Sequence, residues 1–296
     1  MQRYLFSFIS IILSLILSAS AVIADDSVGV LPGALSVSPG GGATYQIPVQ
    51  VPPGINGVQP EVALTYNSQA GNGLLGIGWS LSASSAITRC ATTLEQDGLV
   101  DGVDFDSNDR FCFNGARLVL VSGIQGGAES VYKTESDSQI KVIARQSSGI
   151  GPAYFEVFKP NGMVEVYGYT ADSKVYQNGS YNIAEWRLSL EQDRSGNKAS
   201  YTYIVDSVQY THYLSKIDYN GYSIEFVYEA RSDISSGFIA PNTKLAMDKR
   251  LSSVLVKAGA TLTFKYLIGY SSNTVSTVSS ISQCSNLMPA LKPILR

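Results

Sequence analysis

Apolar and polar residues alternate along most of this chain, and short turn signals interrupt the alternation. Residues 155–158 and 163–167 alternate in this way on either side of Pro160, Asn161 and Gly162. Successive side chains of a β-strand point to opposite faces, so a period of two predicts half-buried strands. Asn-Gly supplies the positive φ that a tight hairpin turn requires. The pattern recurs around turns near positions 196, 221 and 259, which indicates a loose repeat of hairpins.

The alternation begins near position 43 and predicts strands over residues 45–51 and 62–66. Prolines at 48, 52, 53 and 60 restrict both segments to sheet edges or strand ends. Residues 182–192 are the one candidate for a helix after residue 24, and they alternate equally well as a strand. We therefore predict an all-β fold of antiparallel sheets built from successive hairpins, sandwich-like or shell-like, with no substantial helix after the N-terminal segment.

The N-terminal segment has the organisation of a signal peptide. Arg3 is the only charge among the first 24 residues, and residues 4–24 form an apolar and serine run that ends in Ala-Val-Ile-Ala. This pattern predicts a signal peptide over 1–24, with cleavage after Ala21 or Ala24. An uncleaved anchor is the alternative, since the run is about long enough to span a bilayer. The embedded serines favour cleavage, so we expect a secreted, extracellular chain that has no membrane contact after cleavage.

Composition excludes several classes of partner. Charged residues make up 15% of the 296 residues, the net charge is −3, and Lys and Arg are scattered without a basic cluster. Nucleic acids and anionic membrane surfaces attract basic patches, so neither is predicted as a partner. The 18 tyrosines and 27 glycines fit short strands joined by tight turns.

The cysteines fit an oxidising compartment. Cys90 and Cys112 bracket a polar, aspartate-rich segment, and we predict a disulfide between them. Closing a loop of about 23 residues contributes about 3 kcal/mol in the chain-entropy model. Cys284 is left over as an unpaired thiol, part of an intermolecular bond, or a residue whose partner has been lost. The sequence contains no C-x-x-C motif and no His/Cys cluster that would support a zinc site.

Gly71, Gly73 and Gly76 satisfy the G-x-G-x-x-G spacing of dinucleotide-binding loops. That chemistry needs a helix directly after the glycines, because the helix N-terminus meets the pyrophosphate. The residues from Trp79 onwards are serine-rich and strand-like instead. We therefore predict no cofactor and interpret the loop as a tight backbone passage under Trp79.

An acidic segment offers oxygen ligands of the kind that Ca²⁺ prefers. Glycine is missing at the sixth loop position, so the segment is not an EF-hand. A polar turn cluster explains the same residues, so we predict no metal and keep calcium as the alternative. The candidate ligands are Asp101, Asp104, Asp106, Asn108 and Asp109.

No constellation of residues predicts catalysis. His212, the only histidine, is expected at the surface where a strand begins, and no Gly-x-Ser-x-Gly elbow accompanies it. Glycoside hydrolysis needs two carboxylates roughly 5 to 10 Å apart, but alternation gives every β-protein some such pair. We therefore predict no catalytic residue and no enzyme. The acidic strand residues available for such a pair are Glu156, Glu165, Glu185, Glu191 and Glu225.

Alternation also places aromatic side chains in rows on the sheet faces. We interpret these rows as cross-strand packing between hairpins, with a stacking platform for sugars as the alternative. The rows consist of Tyr201, Tyr203, Tyr219, Phe226, Tyr228, Phe264 and Tyr266.

Five motifs in the first part of the chain are distinctive. They are GALSVSPGGGATY at 33–45, PEVALTYNS at 60–68, GLLGIGWSL at 73–81, ITRCATTL at 87–94 and FDSNDRFCFNGARL at 105–118. Together they resemble the SpvB-type N-terminal region. That region opens the B components of insecticidal toxin complexes, the Salmonella plasmid virulence protein and many exported Rhs/YD-repeat proteins.

The resemblance extends from Gly33 to Gln283 and is most specific between Thr65 and Val121. In that family the region looks like structural β-sheet that leads into propeller and Rhs-repeat segments, which form a shell around a toxic payload. Family enzymatic activity belongs to the payload, so no catalytic residue is carried over. The resemblance implies a non-enzymatic, virulence-associated module whose partners are further toxin-complex or Rhs-repeat segments or chains.

Family members continue well beyond this region and tend to carry a second cysteine soon after the position of Cys284, which this sequence lacks. We therefore expect a truncated N-terminal part of a shell or scaffold. The alternatives are a secreted carbohydrate-binding or adhesive module, and a hydrolase with two perturbed carboxylates in one cleft. The predicted parts are a signal peptide 1–24, an exposed leading segment 25–42, an SpvB-type β-domain 43–283 (a disulfide-containing half 43–125 and a YD-like hairpin half 126–283) and a truncated tail 284–296.

Overall fold

The computed structural model describes residues 31–285 except 39, 137–138, 241–242 and 272–273. The predicted signal peptide and the tail from residue 286 onwards lie outside the described residues. Antiparallel strands make up most of the described part, which confirms the all-β prediction. The described part contains no helix with the length and apolar character needed to cross a membrane.

A small antiparallel sheet comes first. The opening strands are β1 (Ala34–Val37), β2 (Ala43–Pro48), β3 (Ala63–Asn67), β4 (Asn72–Gly73), β5 (Gly76–Ile77) and β6 (Trp79–Ser82). The sheet has the order β1–β2–β3–β6, and β4 and β5 form a separate short ladder. β2 and β3 match the two strands predicted here. β1 lies in the segment predicted to be exposed, and all four of its residues are exposed.

A closed barrel follows the small sheet. Its region contains β7 (Ala86–Cys90), β8 (Arg110–Phe113), β9 (Ala116–Ser122), β10 (Val131–Thr134), β11 (Lys141–Arg145), β12 (Tyr154–Phe158), β13 (Val164–Tyr167), β14 (Lys174–Tyr176) and β15 (Ile183–Gln192). Each strand from β7 to β13 pairs with the next, and β15 pairs with both β7 and β13, so eight strands close into a barrel. The sequence predicts the hairpins but not this closure. The division at 125/126 falls between β9 and β10, which are paired neighbours.

An open sheet of hairpins continues from the barrel. Its strands are β16 (Lys198–Asp206), β17 (Thr211–Tyr219), β18 (Tyr222–Ala240), β19 (Thr243–Ala258), β20 (Thr261–Tyr270) and β21 (Val278–Ser285). β15 belongs to both the barrel and the open sheet, because its C-terminal residues also pair with β16. Three hairpin turns have Gly162, Gly196 and Gly221 at positive φ, as the Asn-Gly and Ser-Gly signals predict.

The helical part of the described chain is small. The one α-helix there is α1 (Leu94–Asp97), a single turn between β7 and β8. Thr93 caps its N-terminus by accepting a hydrogen bond from the Gln96 N–H, and Gly98 ends it with a φ of 72°. A 3₁₀ turn, Ala171–Ser173, precedes β14.

The core is continuous between the small sheet, the barrel and the open sheet. In the barrel, Phe111, Phe155 and Trp186 make edge-to-face contacts with ring centroids 5.0 to 5.5 Å apart. The buried Trp186 indole N–H donates to the Pro152 carbonyl at 3.1 Å. Buried aromatic side chains with satisfied polar atoms combine large apolar area with fixed geometry, so this cluster defines the barrel interior.

The glycine loop has the close approach that the sequence predicts. Gly76 has a φ of 90°, and a Cβ there would lie 2.2 Å from the Ser276 carbonyl oxygen. β6 follows the loop in place of a helix, and Trp79 at its start is buried. Arg231 on β18 donates to the Gly73 carbonyl at 2.8 Å, and the Ile77 N–H donates to the Ser276 carbonyl at 3.0 Å. The loop is therefore fixed against the open sheet.

Candidate functional site

The acidic segment brings together three of its five candidate calcium ligands. Asp101, Asp104 and Asp106 each place one carboxylate oxygen within 4.8 Å of the others. Loss of hydration and the charges of Asp106 and Asp101 raise the pKa of Asp104. Asn108 donates to the Asp101 carboxylate at 3.5 Å and so lies beside the group. Oxygen ligands of this type suit Ca²⁺, and calcium binding stays a prediction.

Asp109 has a structural role instead. Its carboxylate pairs with Arg89 at 2.8 Å, and both side chains are almost completely buried. The Arg89 guanidinium lies over the rings of Phe105, Phe111 and Trp186 at 5.1 to 5.8 Å. Asp109 also accepts the backbone N–H groups of residues 104 and 105. A buried charge needs such a complete set of partners, so Asp109 ties the acidic loop to the barrel core.

The predicted disulfide between Cys90 and Cys112 is present, with Cα atoms 6.0 Å apart on the neighbouring strands β7 and β8. It closes the base of the loop that carries α1 and the acidic segment. Cys284 on β21 is a free, partly buried thiol.

Two carboxyl groups meet where the barrel closes. Glu165 on β13 lies directly opposite Glu191 on β15. The Glu165 side chain is 5% exposed, ion-pairs with Lys159 and accepts the Tyr167 hydroxyl at 2.8 Å. Glu191 accepts the Tyr201 hydroxyl at 2.9 Å. Burial, followed by the negative charge of Glu165, raises the pKa of Glu191 to about 7.

The carboxyl pair lines a polar cleft of about 370 Å³ between the small sheet and the barrel. This is the cleft that bears on the hydrolase alternative, because two carboxyls meet in it. The pair does not have the open arrangement that glycoside hydrolysis needs, because Lys159 and Tyr167 bind the Glu165 carboxyl and Tyr201 binds the Glu191 carboxyl. The reaction needs carboxylates roughly 5 to 10 Å apart with a sugar between them. The other three acidic strand residues form ion pairs, Glu156 with Arg145, Glu185 with Arg187 and Glu225 with Lys257.

The prediction of a surface position for His212 is wrong. His212 does lie where β17 begins, but it is 8% exposed and belongs to a run of four buried residues at the start of that strand. Its Nδ1 donates to the Asp172 carbonyl at 2.7 Å, which fixes Nδ1 as the protonated nitrogen. Burial lowers its pKa, so the ring is neutral at pH 7.

The aromatic rows are packing residues, as the main interpretation predicts. Five of the seven are buried, and the other two are partly buried and pack against the core. The buried five are Tyr201, Tyr203, Tyr219, Phe226 and Tyr266.

Other tyrosines do line a concave surface, and the sequence did not predict this role for them. Tyr176, Tyr181 and Tyr210 converge on a cleft between the loop after β14 and the β16–β17 turn. Tyr181 and Tyr210 lie outside strands, so alternation gave no signal for them. The signal available was the tyrosine inside each of two turn-rich segments, NGSYN at 178–182 and DSVQY at 206–210.

Sequence comparison defines the family. The model of the SpvB family, described as Salmonella virulence plasmid 65kDa B protein, matches residues 37–225. This chain belongs to the SpvB family. The match spans the small sheet, the barrel and the first strands of the open sheet, which confirms the resemblance inferred from the motifs. No curated protein matches this SpvB-family chain in sequence.

Solved structures share the fold of this SpvB-family chain at low identity. The N-terminal domain of effector protein SpvB from Salmonella typhimurium strain LT2 has a TM-score of 0.66 and 17% identity, over 81% of this chain and 98% of that domain. TcdB2-TccC3 has a TM-score of 0.72 and 18% identity, over 86% of this chain and 16% of that chain. The Photorhabdus luminescens Tc holotoxin pore with the TccC3-D651A mutation has a TM-score of 0.68 and 16% identity, over 86% of this chain and 15% of that chain. The SpvB-family chain therefore has a toxin-complex-type β-domain and spans less than a fifth of those toxin chains.

The open sheet of this SpvB-family chain ends at β21. Among the described residues, β21 pairs with β20 and with no other strand. Its sequence, VSSISQCS, contains neither charge nor proline. Charges and prolines are common devices that stop an exposed edge from pairing with another strand, and β21 lacks both. This edge is therefore chemically suited to strand addition.

Proposed function

We propose that this chain is a non-enzymatic structural β-module of an exported toxin-complex-type protein. The observation that carries the proposal is the outer edge of β21, which pairs with no second strand among the described residues and contains neither charge nor proline, so that an added strand would extend the open sheet. The family supports it, because TcdB2-TccC3 has a similar domain as 16% of a longer chain. In this proposal the chain is part of a shell or scaffold. Its partners are further toxin-complex or Rhs-repeat segments or chains, and residues 1–24 direct its export.

The polar cleft at the barrel closure supports a role without catalysis. The Glu165 carboxyl is bound by Lys159 and the Tyr167 hydroxyl, and the Glu191 carboxyl is bound by the Tyr201 hydroxyl. A general acid or base must reach a substrate proton at hydrogen-bond distance. A carboxyl group that is buried and already fully partnered is poorly suited to that task, so we assign the pair a structural role.

The β21 edge can be tested with the purified full chain. We expect concentration-dependent association in size-exclusion chromatography with light scattering. The backbone amides of β21 should exchange with D₂O faster than those of β20 in the monomer and become protected on association. Ser282→Lys puts a charge on the edge strand and should weaken association. Ser147→Lys adds the same charge at an exposed position in the turn after β11 and serves as the control.

Two results would refute the proposal. A monomer at every concentration, with β21 amides as protected as those of β20, would mean that the chain covers its own edge. Association that Ser282→Lys leaves unchanged would place the contact elsewhere on the molecule.

A further inference from the structure

The tyrosine cleft defined by Tyr176, Tyr181 and Tyr210 is separate from the acidic loop, the carboxyl pair and β21. It has a volume of about 590 Å³, within the roughly 300 to 1,000 Å³ typical of ligand sites. Tyr176 ends β14, Tyr181 lies in the following loop, and Tyr210 precedes β17. The three rings therefore come from two chain segments that the fold brings to face each other.

The hydroxyl groups of these three tyrosines are unused within the described part of the chain. None of them hydrogen-bonds to another described residue, and Tyr181 is 84% exposed. Tyrosines of the core behave differently, because their hydroxyls are bound to protein groups. Examples are Tyr203 to the Leu188 carbonyl and Tyr228 to the Leu214 carbonyl, at 2.7 and 2.6 Å. The cleft thus presents aromatic rings with free polar groups, a combination typical of recognition surfaces.

The backbone conformation of Tyr210 also indicates that the cleft is a recognition surface. Its φ is 53°, in the left-handed region that bulky residues rarely adopt. The turn is held by Asp206, whose carboxylate accepts the N–H groups of Val208 and Gln209 at 3.1 and 3.0 Å. A tyrosine kept in an unfavourable conformation by its surroundings is a pointer to function.

The remaining lining groups supply neutral hydrogen bonds. The side-chain Oε1 of Gln177 accepts from the side-chain NH₂ of Asn182 at 3.3 Å, which leaves the side-chain NH₂ of Gln177 for a ligand. His212 is also a lining residue, and because its Nδ1 donates to a carbonyl, Nε2 is the acceptor nitrogen of its neutral ring. Asp206 is the charged residue of the lining, and Lys249 neutralises it at 2.6 Å. The cleft therefore has donors and acceptors without net charge.

We propose that the tyrosine cleft binds a neutral oligosaccharide. A pyranose has an apolar C–H face that stacks on an aromatic ring and hydroxyls at its rim that match amide, phenol and imidazole groups. A nucleic acid is a poorer fit, because its affinity comes mainly from phosphate contacts and the lining contains neither Lys nor Arg. This inference does not depend on the structural role of the β21 edge.

The test is ligand-observed NMR with the full chain and four neutral oligosaccharides, built from glucose, galactose, mannose and N-acetylglucosamine. We expect at least one to bind with a Kd on the order of 1 mM or tighter. Tyr181→Ala removes an exposed ring and should weaken that binding about tenfold, from the lost stacking. Tyr181→Phe keeps the ring and should retain most of the affinity. Tyr169→Ala removes another exposed tyrosine, 62% exposed and outside the cleft, and should change nothing.

Three results would overturn the proposal. The first is that none of the four sugars binds at about 10 mM. The second is binding that Tyr181→Ala leaves unchanged, or that Tyr169→Ala weakens equally. The third is that a single-stranded oligonucleotide binds at this cleft more tightly than every sugar. Because Tyr181 is exposed, loss of binding in its variants reports on the cleft, and an unchanged circular dichroism spectrum confirms that the fold is retained.

Discussion

Glu191→Gln should make this protein more stable at pH 8 but not at pH 4.5. Glu191 has a pKa of about 7 in the native state against an ordinary value of 4.5. The native state therefore binds more protons than the unfolded state between these pH values, and stability falls as the pH rises through that window. At 1.36 kcal/mol for each pH unit, the loss at pH 8 is about 3 kcal/mol. A neutral amide at position 191 avoids this loss and still accepts from Tyr201.

The assay is urea unfolding of both proteins at pH 4.5 and pH 8, followed by the fluorescence of the two buried tryptophans, Trp79 and Trp186. The quantity of interest is the variant-minus-wild-type difference in unfolding free energy at each pH. Using that difference cancels the contribution of His212, whose lowered pKa makes stability rise with pH up to about 6.5. Glu225→Gln is the matched control, since it removes a partly exposed carboxylate from an ion pair with Lys257.

We expect the Glu191→Gln difference to grow by about 3 kcal/mol in favour of the variant from pH 4.5 to pH 8. The control should lose about 0 to 1 kcal/mol at pH 8, as surface ion pairs do. The negative charge of Glu165 contributes to the raised pKa of Glu191, so the two residues of this pair are electrostatically coupled. A Glu191→Gln difference that is the same at both pH values would show that the pair is not proton-linked and would refute the reasoning.

Two further substitutions test the fold. Replacing Cys90 and Cys112 together by Ser should lower the free energy of unfolding by about 3 kcal/mol. A reductant should lower the free energy of unfolding of the wild type by the same amount. A variant as stable as the oxidised wild type would argue against the disulfide. Gly76→Ala should cost more than about 2 kcal/mol in urea unfolding, since φ is 90° and the new Cβ would meet Ser276. Gly57→Ala has a similar φ of 82° but no atom within 4 Å, so a loss as large as that of Gly76→Ala would contradict the role of the close approach.

The hairpins could be predicted from the sequence because a hairpin is specified by its own alternation and by the turn residues between its two strands. The strands around Asn161-Gly162 and Asn220-Gly221 appear where alternation and turn residues place them. The barrel closure was not predictable in this way. β13 and β15 are separated by β14 and a loop, and their register is shifted at residues 166 and 167. Nothing in either strand's own pattern specifies that pairing, which depends on how the whole sheet twists and closes.

The difference between local patterns and long-range pairing also explains which candidate site residues could be identified from the sequence. Cys90 and Cys112 were paired correctly, because they bracket one continuous segment. Glu165 and Glu191 were recognised as acidic strand residues, but only the β13–β15 register selects them as a buried pair. His212 was misplaced because burial there comes from neighbouring elements and not from its own strand. Tyr181 lies in a loop, where periodicity carries no information about which surface a side chain joins.

β15 is the element that relates the separate surfaces of the molecule. Its ten residues pair with β7 and β14 in the first half and with β13 and β16 in the second. A slip of one residue would move Trp186 out of the core and Glu191 away from Glu165, so the register is strongly specified. The same strand therefore fixes the barrel, the start of the open sheet and, through β14, one wall of the tyrosine cleft. Ser282 and Tyr181 do not take part in the pairing of β15. Substitution of Ser282 therefore tests strand addition, and substitution of Tyr181 tests ligand binding, without disturbing the fold.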